Sequence, residues 1–73
     1  MNLQQSSTTV YRPVPSPFKQ RFQELGVRAG AVAAYIQRSY PHTLNMLNGV
    51  SRIPDSVKEN MQKLIEEIKA QNA

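Results

Sequence analysis

Apolar residues recur along this chain in four stretches with helical spacing, each bounded by residues suited to a helix end. The first is signalled at Ser16 and Pro17, a good cap followed by a proline suited to the first helical position. Phe18, Phe22 and Leu25 then follow at i, i+4 and i+7 as one stripe, with Lys19, Gln20, Gln23 and Glu24 off it. Gly26 supplies a left-handed stop. A second helix is predicted over residues 28–37, with Val32, Ala33 and Ile36 on its apolar face. Its small residues Ala29, Gly30, Ala31, Ala33 and Ala34 are expected to admit another helix at close range. Gly30 weakens its first turn by up to about 1 kcal/mol relative to alanine.

A short gap, residues 37–39, leads to a third helix capped by Ser39, with Pro41 in its first turn. It runs to about Asn48 and ends at Gly49. The fourth begins near Pro54, with Asp55 at its positive end. Ile53, Val57, Met61, Leu64, Ile65 and Ile68 trace its stripe, which ends near Lys69. Three short helices do not easily cover a stripe of that length. Either it only closes the core, or its far end (Leu64, Ile65, Ile68) packs on a second subunit.

Residues 1–15 read as a flexible arm, polar at Gln4 to Thr9 and interrupted by Pro13 and Pro15. Thr8, Thr9, Val10 and Tyr11 have the β-propensity of a short strand that could pair with a partner's edge. Arg12 could reach a DNA minor groove from such an arm. The expected architecture is therefore all-α, a small bundle of four to five helices over residues 16–73 behind an arm at 1–15.

Composition narrows the chemistry. At 73 residues the chain is one domain, and without cysteine neither disulfides nor thiolate metal sites supplement its core. One histidine, five carboxylates and three glycines leave few parts for catalysis, so no enzyme, cofactor or metal is expected. The N-terminus has neither an early positive cluster nor an apolar run, and no stretch approaches the roughly 18 apolar residues of a membrane span. A cytoplasmic location is the expectation.

What remains is charge: nine Lys or Arg against five Asp or Glu, net +4. It is unevenly placed. Residues 1–53 hold six cations (Arg12, Lys19, Arg21, Arg28, Arg38, Arg52) against Glu24, net +5. Residues 54–73 hold three cations against four acids, net −1. A small basic domain without catalytic parts points first to nucleic acid, then to an acidic protein or membrane surface.

Val32-Ala33-Ala34-Tyr35-Ile36-Gln37-Arg38-Ser39-Tyr40 resembles the first helix and turn of repressor helix-turn-helix domains; the lactose-repressor type has a similar V-A-x-Y-x-x-x-S-Y string. Asn48-Gly49-Val50-Ser51-Arg52-Ile53-Pro54 resembles the N-G-x-x-x-I-P stretch after the recognition helix in Cro and lambda-repressor relatives. Both fit one gapless register from Val32 to about Met61, some 30 of 73 residues. The preceding helix fits the lambda-repressor and Cro arrangement better than the lactose-repressor one. That resemblance implies a recognition helix at about 39–48 in the DNA major groove.

Three positions depart from the family pattern. Gln37 replaces the usual turn glycine and must take a left-handed or distorted conformation. Thr43 stands where a Val or Ile enters the core, and Leu44 is the better core residue by hydrophobicity. Ala29 stands where the family often has a phosphate-binding Gln, so that contact is either absent or supplied by Arg28. Two rotations of the third helix follow. Burying Leu44 and Leu47 leaves Pro41, His42 and Asn45 outward; the gapless register sends Tyr40, Pro41, Asn45 and Asn48 to the groove. Asn45 is outward in both and suits adenine.

The candidate base-reading set is Tyr40, His42, Asn45 and Asn48, with Arg28, Arg38, Ser39 and Arg52 for phosphates. The resemblance implies a small sequence-specific DNA-binding regulator of the repressor kind, bacterial or phage-encoded and nucleoid-associated. Double-stranded DNA would be its partner and a homodimer its form, with neither membrane nor small-molecule ligand. The competing reading is a helical protein-interaction module using the apolar face of the C-terminal helix.

Overall fold

The computed structural model describes residues 12–72, with side-chain environments throughout that range. It holds four helices, which we number α1 (Pro17–Glu24), α2 (Ala29–Ile36), α3 (Tyr40–Leu47) and α4 (Asp55–Asn72). There is no strand among the described residues. The strand considered at residues 8–11 lies outside them, as does most of the expected arm.

The helix ends follow from local chemistry. The Ser16 hydroxyl accepts the Phe18 N–H at 3.2 Å, and Pro17 occupies the first turn of α1. Gly26, at φ +74°, ends it. The Ser39 hydroxyl accepts the His42 N–H at 3.2 Å and starts α3. Gly49, at φ +82°, terminates it. Helix α4 continues to Asn72, past the expected end near Lys69, because Ala70, Gln71 and Asn72 include neither glycine nor proline to break it.

The turn between α2 and α3 is made without glycine. Gln37 sits in the left-handed region at φ 59°, ψ 48°, as the missing glycine required. Its N–H and that of Arg38 both return to the Ala33 carbonyl, the latter at 3.1 Å. A side chain in this conformation carries strain that glycine does not. Gln37→Gly is therefore expected to stabilise the fold by about 1 kcal/mol, read as a higher urea midpoint at unchanged slope.

Helix α2 packs on both α3 and α4, and α1 lies across the same two helices. Phe22, Val32, Ile36, Met46, Leu47, Ile53, Val57, Met61 and Ile65 form the core. Each such side chain contributes about 1.5–3 kcal/mol by leaving water. Phe18 and Leu25 pack partly buried at its edge.

One open choice is decided and three expectations are corrected. Thr43, not Leu44, enters the core: Thr43 is fully buried and Leu44 half-buried. Thr43 can do so because its hydroxyl donates to the Ser39 carbonyl at 2.8 Å, leaving only its methyl to the apolar surroundings. Thr43, Met46 and Leu47 make the i, i+3, i+4 stripe of α3, and Met46 was not foreseen. Second, most of the small residues of α2 do not receive a helix. Gly30, Ala31 and Ala34 are exposed, and nothing lies within 4 Å of a Cβ built on Gly30. Only Ala33 is buried where α2 meets α3.

Third, Ile65 is 1% exposed within the chain itself, so it is core and not a contact for a second subunit. Leu64 and Ile68 flank it half-buried. Fourth, the end of the expected arm is built into the domain. The Ser16 N–H donates to the Leu47 carbonyl at 2.9 Å, and the Val14 carbonyl lies where a side chain on Gly49 would go. Residues 13–16 thus strap the exit of α3, although the Val14 side chain itself is 80% exposed.

Candidate nucleic-acid interface

The rotation of α3 determines its outward face. With Thr43, Met46 and Leu47 inside, Tyr40, Pro41, His42 and Asn45 are exposed and Asn48 is half-buried. Three of the four residues expected to read bases thus stand outward on one helix, and Asn48 follows at its C-terminal cap. This is the rotation of the gapless register, with His42 also accessible. Tyr40 is a large aromatic left 54% exposed, which the core does not explain. In the first turn of α3 the His42 N–H goes to the Ser39 hydroxyl and Pro41 has no N–H, which leaves that of Tyr40, and no acid stands in that turn.

The cations expected at phosphates take different positions. Arg28, the residue before α2, is exposed and makes no side-chain cap bond there. Arg28 and Tyr40 line the same concavity, so the start of α2 adjoins the start of α3. Arg38 is exposed but partly committed: its guanidinium donates to the Ile36 and Gln37 carbonyls at 3.4 and 3.3 Å. It thereby caps the end of α2, with further N–H donors left over. Arg52 is exposed in the segment before α4.

Two polar residues not foreseen join this surface. Lys19 and Gln23 of α1 line a second concavity together with Arg28, Tyr40 and Asn48. Both lie off the Phe18–Phe22–Leu25 stripe, so their outward direction was legible in the sequence. Their placement beside α3 depends on how α1 crosses it. By contrast, Arg21 is turned elsewhere, with its guanidinium 5.7 Å from the Phe18 ring centroid and donating to Gln62 of α4 at 3.2 Å.

The acids sit mainly on α4, and one of them ties it to α2. The Tyr35 hydroxyl donates to a Glu67 carboxylate oxygen at 2.9 Å. Tyr35 is half-buried. The Glu67 hydrogen bond holds the phenol protonated and raises its pKa from the ordinary 10.0, with desolvation and the Glu67 charge adding to the shift. A raised folded-state value means the contact's full stabilisation is present below pH 10.0 and is lost as pH climbs through the raised value. Tyr35→Phe is expected to remove that alkaline component, seen by comparing urea midpoints of the two chains on either side of pH 10.0.

No group of three or more His, Asp or Glu among the described residues is placed to hold a metal ion. No helix among them is long and apolar enough to cross a membrane. Compared with protein-family models, curated proteins and solved structures, the chain has no match.

Proposed function

We propose that this chain is a small sequence-specific DNA-binding regulator. On this reading α2, the turn at 37–39 and α3 act as a helix-turn-helix, and α3 enters the major groove. The observation that carries the reading is the outward face of α3. Tyr40, His42 and Asn45 stand exposed on one short helix, with Arg28 and Arg38 close to its start and Arg52 exposed before α4, in the part of the chain that carries net +5. A core-only role for α3 leaves that face without a reason. Asn45 reads bases, bidentately where the base is adenine; Tyr40 and His42 contact thymine methyls or phosphates. Arg28, Arg52 and the spare donors of Arg38 set docking on the backbone, with Ser39 at the helix end.

The chain acts as a dimer on this reading, with two copies of α3 about 34 Å apart on a palindromic site. With Ile65 in the core, Leu64 and Ile68 are what α4 offers to a second copy. The same loss narrows the apolar face on which a purely protein-binding role would rest.

Selection of bound duplexes from a random library, followed by sizing of the complex, tests the proposal. A defined site whose affinity falls steeply between about 50 and 200 mM salt is the expected result. No binding to any duplex at low salt overturns it. Asn45→Ala should lose about 1–3 kcal/mol of discrimination while non-specific binding persists. Arg28→Ala should weaken all sequences alike and reduce the salt slope by about one.

A further inference from the structure

Between α1 and α3 lies a slot of about 390 Å³. Its size falls in the range of small-molecule sites. Phe22, Val27, Leu44 and Leu47 supply an apolar floor. Two of these, Phe22 and Leu47, are core residues, so the slot reaches to the edge of the core itself. Two cations, Lys19 and Arg28, stand at the rim, and no acid lines it. Leu44 is the residue that the rotation of α3 kept out of the core, and it is half-buried here.

We propose that this slot binds a small organic anion with an apolar body, a carboxylic acid of the fatty or aryl type. The apolar part would displace water from Val27 and Leu44, and the carboxylate would meet Lys19 and Arg28. Charge complementarity selects this class: a neutral apolar molecule would leave both cations unused, and a small hydrophilic anion would leave the floor wet. Tyr40 of α3 and Asn48 at its C-terminal cap also line the slot. An occupant therefore touches the helix assigned to DNA, and it lowers DNA affinity; this consequence alone rests on the DNA-binding reading.

Titration of the full chain with octanoate, followed through its amide NMR shifts, tests the site, with octanol and acetate as comparisons. Saturable octanoate shifts at Phe22, Val27, Leu44 and Leu47 are expected, with octanol and acetate each at least about tenfold weaker. The double variant Lys19→Gln, Arg28→Gln should weaken octanoate binding about tenfold. Ala29→Leu, which grows a side chain into the slot, should abolish it. Octanol binding as well as octanoate, full affinity in the charge variant, or shifts confined to Leu64 and Ile68 would each overturn the site. This titration contains no DNA, so its failure leaves the DNA reading intact, and a failure to bind duplex leaves the site intact. Saturating octanoate should raise the dissociation constant for the selected duplex about tenfold; an unchanged constant overturns the coupling.

Discussion

Gly49→Ala should lower the unfolding free energy by about 2–4 kcal/mol, a large share of what the core of so small a domain supplies. Two costs combine. Gly49 sits at φ +82°, where an alanine costs about 1–2 kcal/mol. In addition, its Cβ would fall on the Val14 carbonyl, which is backbone and cannot rotate away as a side chain would. The strap at 13–16 must lift, and with it goes the hydrogen bond from the Ser16 N–H to the Leu47 carbonyl, worth about 1 kcal/mol. Gly26→Ala is the internal comparison. Gly26 has nearly the same backbone, φ +74°, but nothing lies within 4 Å of its built Cβ. It should cost only about 1 kcal/mol. Urea unfolding of the two variants measures the difference, and equal midpoints would show that the strap contributes nothing to the fold.

Ile65→Ala is the second large effect, about 2–5 kcal/mol, because the side chain is 1% exposed and its removal leaves a cavity among Phe22, Met61 and their neighbours. Ile68→Ala, one turn further on and half-buried, should cost less than about 1 kcal/mol in the monomer. The pair separates core from interface. A stability of the natural chain that rises with protein concentration, and stops doing so in Ile68→Ala, is the mark of a dimer through this part of α4. Equal losses from the two substitutions would contradict the placement of Ile65 described above.

Much of the fold was legible because helix ends are local events. Ser16, Ser39, Gly26 and Gly49 each act on atoms within a few residues of themselves, and the structure uses all four as expected. Gln37 was legible through the resemblance, which puts it where that turn usually holds glycine and so implied a left-handed or distorted backbone; the structure has the left-handed one. All-helical architecture followed from the spacing of the apolar positions. The candidate interface was partly legible. Asn45 was outward under either rotation of α3, and it is exposed.

The choice between rotations was not legible, because hydrophobicity ranks Leu44 above Thr43 and says nothing of the carbonyl that receives the Thr43 hydroxyl. The far end of α4 failed in a similar way. Leu64, Ile65 and Ile68 all lie on one broad face, and only the helices packed against it distinguish the buried member from its half-exposed neighbours. The sequence by itself determined where the helices start, where α1 and α3 stop and where the positive charge lies, since caps, turn conformations and charge counts depend on neighbours along the chain. Only the tertiary structure decided that Thr43 and Ile65 go inside, that Val14 closes over Gly49, that Tyr35 meets Glu67, and that Lys19 comes to stand beside α3. Those are contacts between residues distant in sequence, or rotations of a whole helix. Each is fixed by which shapes and hydrogen-bond partners the other helices leave open.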